Sequence, residues 1–150
     1  MRVGTATRAQ ALVEFAFVVP VLLVLTLGMI DLGRAFVFGV AVQNGAREAA
    51  RVAATAGLDP NVTRQQILQR LIDASAPAIS TATCTAGTSD LTGASCPWQA
   101  TIGTITRGSS VTVTVRTNRN ISFVGGILTG AFGLSLSPFQ VQGSATMVVL

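Results

Sequence analysis

The sequence predicts an α+β protein: a long apolar helix at the N-terminus, a short amphipathic helix behind it, and a small antiparallel β-sheet at the end. Three observations carry this reading. Residues 9–30, between Arg8 and Asp31, form a run of 22 positions, nearly all apolar, in which Glu14 is the only charge. Ile67, Leu68, Leu71 and Ile72 recur at the spacing of one helix face. Val111, Val113 and Val115 alternate with Thr112, Thr114 and Arg116, and a second alternation runs through Phe139, Val141, Ala145, Met147 and Val149.

Composition narrows the functional classes. With 150 residues, 49% of them hydrophobic, 11% charged and a mean hydropathy of +0.60, the chain is more apolar than an ordinary soluble domain. Without the apolar run about 100 residues are left, the size of one small domain. The net charge of +4 comes from ten arginines and no lysine, scattered from Arg2 to Arg119. Such scatter lacks the basic patch interleaved with aromatics that a nucleic-acid partner requires, and none is expected. Histidine and tyrosine are absent, which removes His-dependent triads and histidine metal sites. The acids past Asp31, namely Glu48, Asp59, Asp73 and Asp90, show no paired spacing, so neither an enzymatic site nor a cofactor is expected.

The apolar run is read as a membrane-spanning helix. At about 1.5 Å per residue it reaches roughly 33 Å, enough for a hydrocarbon core of about 30 Å. Arg2 and Arg8 precede it without an acid, which predicts an N-terminus in the cytoplasm and a C-terminal part outside. The competing reading is a cleaved secretory signal peptide, whose apolar core is shorter and ends at a small-residue cleavage site. A carboxylate within such a run costs on the order of 2.5–3.5 kcal/mol at the bilayer centre and less near an interface, so Glu14 calls for an explanation.

The helical pattern continues past Asp31. Pro20 is expected to kink the helix, because its ring and missing amide break the bonding to the preceding turn. Asp31 with Arg34, and Glu48 with Arg51, stand three apart and are expected to pair on the helix surface. Gly45, Ala49 and Ala53 form one row of small residues, and Ala46, Ala50 and Ala54 the next. Two explanations stand level: the rows admit a close neighbour, or alanine serves only as a good helix former. Gly57 is the expected stop, giving a helix of about 45–50 residues and about 70 Å.

Asp59 before Pro60 resembles an N-cap with proline at the first helical position, predicting a second helix over Pro60 to Ala74. From Ala76 to Pro97 the chain turns to Ser, Thr, Ala and Gly and is read as loop. It holds both cysteines, Cys84 and Cys96. In an exported segment they are expected to bond to each other; the alternatives are free thiols or bonds to other subunits. Two cysteines without histidine supply too few ligands for a metal. Trp98 to Thr106 is the expected partner strand of the valine strand. Ile121 to Leu136 carries no charge, but it is short for a span and rich in glycine, and is read as loop or irregular structure.

The order of parts from Arg8 to Ala54 carries a resemblance: a basic residue, Gln-Ala-Leu-Val-Glu-Phe, an apolar run with proline, Asp-x-Gly-Arg, then Ala-Arg-Glu-Ala-Ala-Arg. This third of the chain resembles the TadE-like (TadE/TadG) family of pilus-assembly proteins, minor pilins or pseudopilins of the tight-adherence (Tad) pilus. The C-terminal strands agree with the family in character only. The resemblance implies a pilin-like stalk in a bacterial inner membrane, cut by a prepilin peptidase and acting with other pilin subunits and the Tad secretion machinery. Carried over by position, the cut falls between Ala9 and Gln10, where the family usually has glycine before the bond, and Glu14 becomes the fifth residue of the mature chain.

The expected organisation is a cytoplasmic leader over 1–9, a long hydrophobic helix over 10–57 with its span at about 10–31, and an exported α+β domain over 58–150. Two functional classes follow. One is a structural or assembly subunit of the pilus, minor or major; the other is a surface or binding domain merely anchored in the bilayer. Glu14 separates them, because an anchor gains nothing from a carboxylate in lipid. As a subunit residue it would pair with the new amino terminus of a neighbouring chain; otherwise it snorkels to the cytoplasmic face or is neutral.

Overall fold

The computed structural model describes residues 4–59, 61–76, 84–87, 90–93, 96–119 and 123–150. The architecture is α+β. Three helices, α1 (Gly4–Thr55), α2 (Arg64–Ser75) and α3 (Phe123–Phe132), accompany strands β1 (Thr85–Ala86), β2 (Leu91–Thr92), β3 (Trp98–Ile102), β4 (Ser110–Arg119) and β5 (Phe139–Val148). Two compact units share the chain: Met1–Arg34 with Ile121–Leu136, and Ala35–Asn120 with Ser137–Leu150.

Helix α1 is 52 residues long and continues through Pro20. Its closing turn is made by the amides of Leu58 and Asp59, which donate to the Thr55 carbonyl. Gly57 does not end the helix through the left-handed conformation that glycine favours. It is instead a place of close approach, where an added Cβ would meet the Leu150 carbonyl and would lie 2.7 Å from Val149 Cγ1.

In the second unit the two rows of small residues are where other elements come closest. Ala46, Ala49, Ala50 and Ala53 are completely buried, and Gly45 lies against the Ser75 hydroxyl and the Leu71 carbonyl of α2. The close-neighbour explanation is therefore the correct one for these rows. The apolar face of α2, Ile67, Leu68, Leu71 and Ile72, enters the same core. Helix α2 begins at Arg64, not at Pro60. The Thr63 hydroxyl accepts the Gln66 amide and the Gln66 side chain accepts the Thr63 amide, a reciprocal capping box that satisfies two orphan donors and is worth about 1 kcal/mol. Asp59 spends its carboxylate on the Asn61 amide at 2.9 Å, a local turn instead of a helix cap. Pro60 lies outside the described residues, as do Arg2, Asn120 and Ile121.

Strands β3, β4 and β5 form an antiparallel meander in that order. Val111, Val113 and Val115 of β4 are fully buried, flanked by Trp98, Ala100 and Ile102 of β3 and by Val141 of β5. The expected alternation thus holds for both long strands. Strand β3 ends at Ile102, short of Thr106, and Gly108, with φ +79°, forms the turn into β4. The long helix meets this sheet at β5, where Gln43 Nε2 donates to the Ser144 carbonyl and Gln43 Oε1 accepts the Ser144 amide.

The segment read as loop from Ala76 to Pro97 contains a short two-stranded ladder, Thr85 opposite Thr92 and Ala86 opposite Leu91. The Asp90 carboxylate holds it to the main sheet by accepting the Ala100 amide at 2.9 Å. Cys84 and Cys96 are bonded to each other, with Cα atoms 4.9 Å apart. A bridge closing a loop of this size contributes about 3 kcal/mol. Replacing both cysteines by serine is expected to lower the stability of the domain by about that amount, read as a fall in the midpoint of thermal or denaturant unfolding. Alkylation of both thiols without prior reduction in protein taken from the cell envelope would contradict the bridge.

The second departure from loop is α3. Residues 123–132 are helical, ended by Gly133 in the left-handed region (φ +66°), whose amide donates to the Thr129 carbonyl.

Candidate functional site

The residues that carry chemistry lie along α1. From Leu12 to Ile30 most of its apolar side chains are exposed, Phe17 by 75%, Leu22 by 60% and Met29 by 77%. Large apolar groups exposed around a helix, with no core among the described residues covering them, are consistent with an apolar surrounding. By length and composition this helix can cross a membrane. Ala9 and Gln10 are exposed within the helix. Glu14 is exposed one turn further on and accepts a hydrogen bond from Gln10 Nε2 at 3.2 Å. The structure therefore brings the residue after the expected cut and the carboxylate together on one helix face.

Asp31 and Arg34 do not pair. Each Asp31 oxygen points instead at the start of α3: Oδ2 accepts the amides of Phe123 at 3.0 Å and Val124 at 2.9 Å, and Oδ1 the Phe123 amide at 3.3 Å. The first amides of a helix have no partner within it, so a carboxylate from 92 residues away acts as their cap and complements the positive end of the helix dipole. Arg34 lies over the Phe123 ring, 4.7 Å from its centroid, a cation–π contact. Gly28, one turn before Asp31, faces Val124 with room for a methyl group at 3.7 Å. Sequence reasoning missed Phe123 and Val124 as partners; the available signal was a lone aspartate closing an apolar run in a chain that holds a second uncharged stretch.

Glu48 and Arg51 pair as expected, with Arg51 Nε donating at 2.9 Å and Nη2 at 2.6 Å. This hydrogen bonding holds the Glu48 carboxyl below its ordinary value, helped by the charges of Arg51 and Arg70 and opposed by partial desolvation. A carboxyl with a lowered folded-state pKa favours folding above its unfolded pKa, and that contribution is lost as pH falls through the folded value. Arg51→Gln is expected to move the Glu48 titration upward toward the unperturbed carboxylate range, read by carboxyl-carbon NMR. An unmoved titration would contradict the pairing.

Beyond Arg34, Phe36, Gly39, Val40, Gln43, Asn44 and Arg47 line a shallow open groove on α1. It gathers no acid–base or nucleophilic set. Among the described residues no group of three or more His, Cys, Asp or Glu side chains comes together.

Comparison with curated proteins and with solved structures finds no match to this chain. Comparison with family models matches residues 9–51 to the TadE-like proteins. The matched stretch takes in the exposed apolar half of α1, Glu14, Asp31, Arg34 and the buried alanine rows as far as Arg51, which are the features with chemical content described above. Over residues 9–51, then, the chain is similar to the TadE-like proteins.

Proposed function

We propose that the protein is a structural or assembly subunit of a Tad pilus, a minor pilin or pseudopilin held in the bacterial inner membrane by the first half of α1. Its N-terminus lies in the cytoplasm and its sheet domain outside. The similarity of residues 9–51 to the TadE-like proteins supports this reading. The observation that carries the reading is the division of labour within one helix: one face of the second half is buried in the chain's own core, while the first half stays largely bare and holds a carboxylate where an anchor needs none.

In this reading the prepilin peptidase cuts between Ala9 and Gln10. The new amino group at Gln10 of one subunit meets Glu14 of its neighbour, replacing an isolated charge in lipid by a hydrogen-bonded pair that favours one stagger between stalks. Other pilin subunits, the secretion machinery and the bilayer are the partners. The test is the N-terminal residue of the protein recovered from cells, together with protease added to spheroplasts. The mature chain is expected to begin at Gln10, with digestion after Ala54 and a protected N-terminus. A mature protein that begins at Met1 overturns the processing, and digestion of the N-terminus overturns the orientation.

A further inference from the structure

We infer that α3 is a membrane-contacting helix, lying in the lipid interface of the leaflet distal to the cytoplasm beside the last turn of the α1 span. The inference rests on the reading that residues 9–30 cross the bilayer. Four observations point to lipid as the occupant of its exposed side.

The first is position. The start of α3 is fixed at the end of the apolar run by the two Asp31 contacts to the Phe123 and Val124 amides, by Arg34 over the Phe123 ring, and by Gly28 against Val124. If the run spans, Gly28 to Asp31 stand at the boundary of the hydrocarbon core, and so does the N-terminus of α3. The second is affiliation. Residues 121–136 form a compact unit with the span segment, although the chain leaves β4 at Arg119 and re-enters β5 at its paired residue Phe139. The excursion is longer than joining two paired strands requires.

The third is chemistry. No charged residue follows Arg119, and the excursion leaves Phe123, Leu134 and Leu136 exposed. Ten residues reach about 15 Å, too short to span, while an uncharged helix brings no charge whose desolvation would keep its exposed apolar side out of lipid. The fourth is the helix itself. Gly125, Gly126 and Gly130 make it a poor helix in water, and an isolated helix this short is marginal even with better formers. Where water is scarce the balance reverses, because backbone groups must bond internally; two of the amides that α3 cannot satisfy itself, those of Phe123 and Val124, are taken by Asp31. Asp31 and Arg34 thus position α3 against the span.

The test uses the full chain, whose two native cysteines are bonded to each other. Gly126→Cys and Ala131→Cys on α3, Leu22→Cys in the span and Asn44→Cys outside it are each spin-labelled and reconstituted into phosphatidylethanolamine–phosphatidylglycerol vesicles. Collision of the label with oxygen, which concentrates in lipid, is compared with collision with a water-soluble nickel chelate. Both α3 labels are expected to follow Leu22→Cys, with oxygen collisions raised and nickel collisions largely lost relative to Asn44→Cys. Free nickel access at either α3 label, with Leu22→Cys in lipid, overturns the inference and leaves the span intact. Shielding of the α3 labels from both reagents means that protein covers the helix and overturns it as well. Nickel access at Leu22→Cys brings down the span and the inference together.

Discussion

Gly143→Val is expected to unfold the sheet domain or leave it several kcal/mol less stable. Gly143 stands in β5 opposite Val115 of β4, and its bare Cα faces the backbone of α1. A Cβ added there would lie 2.8 Å from Val42 Cγ1 and 2.9 Å from both the carbonyl carbon and oxygen of Val42. The neighbours are the fully buried, β-branched Val42 side chain and the Val42 backbone within a helix, so they cannot step aside as a flexible side chain would. Overpacking of this kind typically costs about 1–3 kcal/mol for a small increment, and valine adds more than one. The two bonds between Gln43 and the Ser144 backbone would be strained with it, since they are made one residue further along both elements. Gly126→Ala is the matched control: nothing lies within 4 Å of a Cβ there, and alanine is a better helix former, so stability is expected to hold or rise by up to about 1 kcal/mol. Thermal unfolding of the reconstituted full chain, followed by circular dichroism, reads both. A Gly143→Val protein as stable as its parent would mean that helix and sheet do not meet this closely.

What was legible in the sequence were the features that repeat along it. The unbroken apolar run, the face of Ile67, Leu68, Leu71 and Ile72, and the valine alternation of β4 each declare their structure locally, because burial imposes a period. The small-residue rows left two explanations standing, and only the positions of Ser75 and Leu71 against Gly45 decide between them. Asp31 was legible as a charge but not as a cap. Its nearest sequence partner is Arg34, whereas the amides it serves are 92 and 93 residues away. Helix α3 was hidden by its glycines, since local propensity speaks against a helix that tertiary contacts at its N-terminus support. The start of α2 is a different case. Thr63 followed three residues later by Gln66 is a capping-box pattern present in the sequence, and the more conspicuous Asp59–Pro60 pair drew the boundary to the wrong place. The ladder of β1 and β2 has two residues to a strand, too short for any alternation to show.

Among the residues of the candidate site, Glu14 was the most legible and is the one on which the functional account turns. It sits six residues beyond Arg8, roughly 9 Å along the helix, inside the apolar run yet near its N-terminal end. Its hydrogen bond to the Gln10 side chain shows that the two positions share a face one turn apart, so a subunit cut before Gln10 presents an amine and a carboxylate on the same strip of its stalk. Two such strips, staggered, satisfy each other's charges in a medium that offers no water. An anchor whose carboxylate merely reaches the cytoplasmic surface has no use for this arrangement.

The direct test is Glu14→Gln, which removes the charge and keeps the shape. Incorporation is measured as the amount of this chain in sheared pili relative to the amount in the membrane. The account predicts that membrane insertion and Cys84–Cys96 bonding stay at the parent level while incorporation or pilus production falls several-fold, the scale of about 1 kcal/mol or more for a charge-assisted hydrogen bond lost in an apolar medium. Assembly of the Glu14→Gln chain at the parent level would contradict it and leave a membrane-anchored surface domain as the better account.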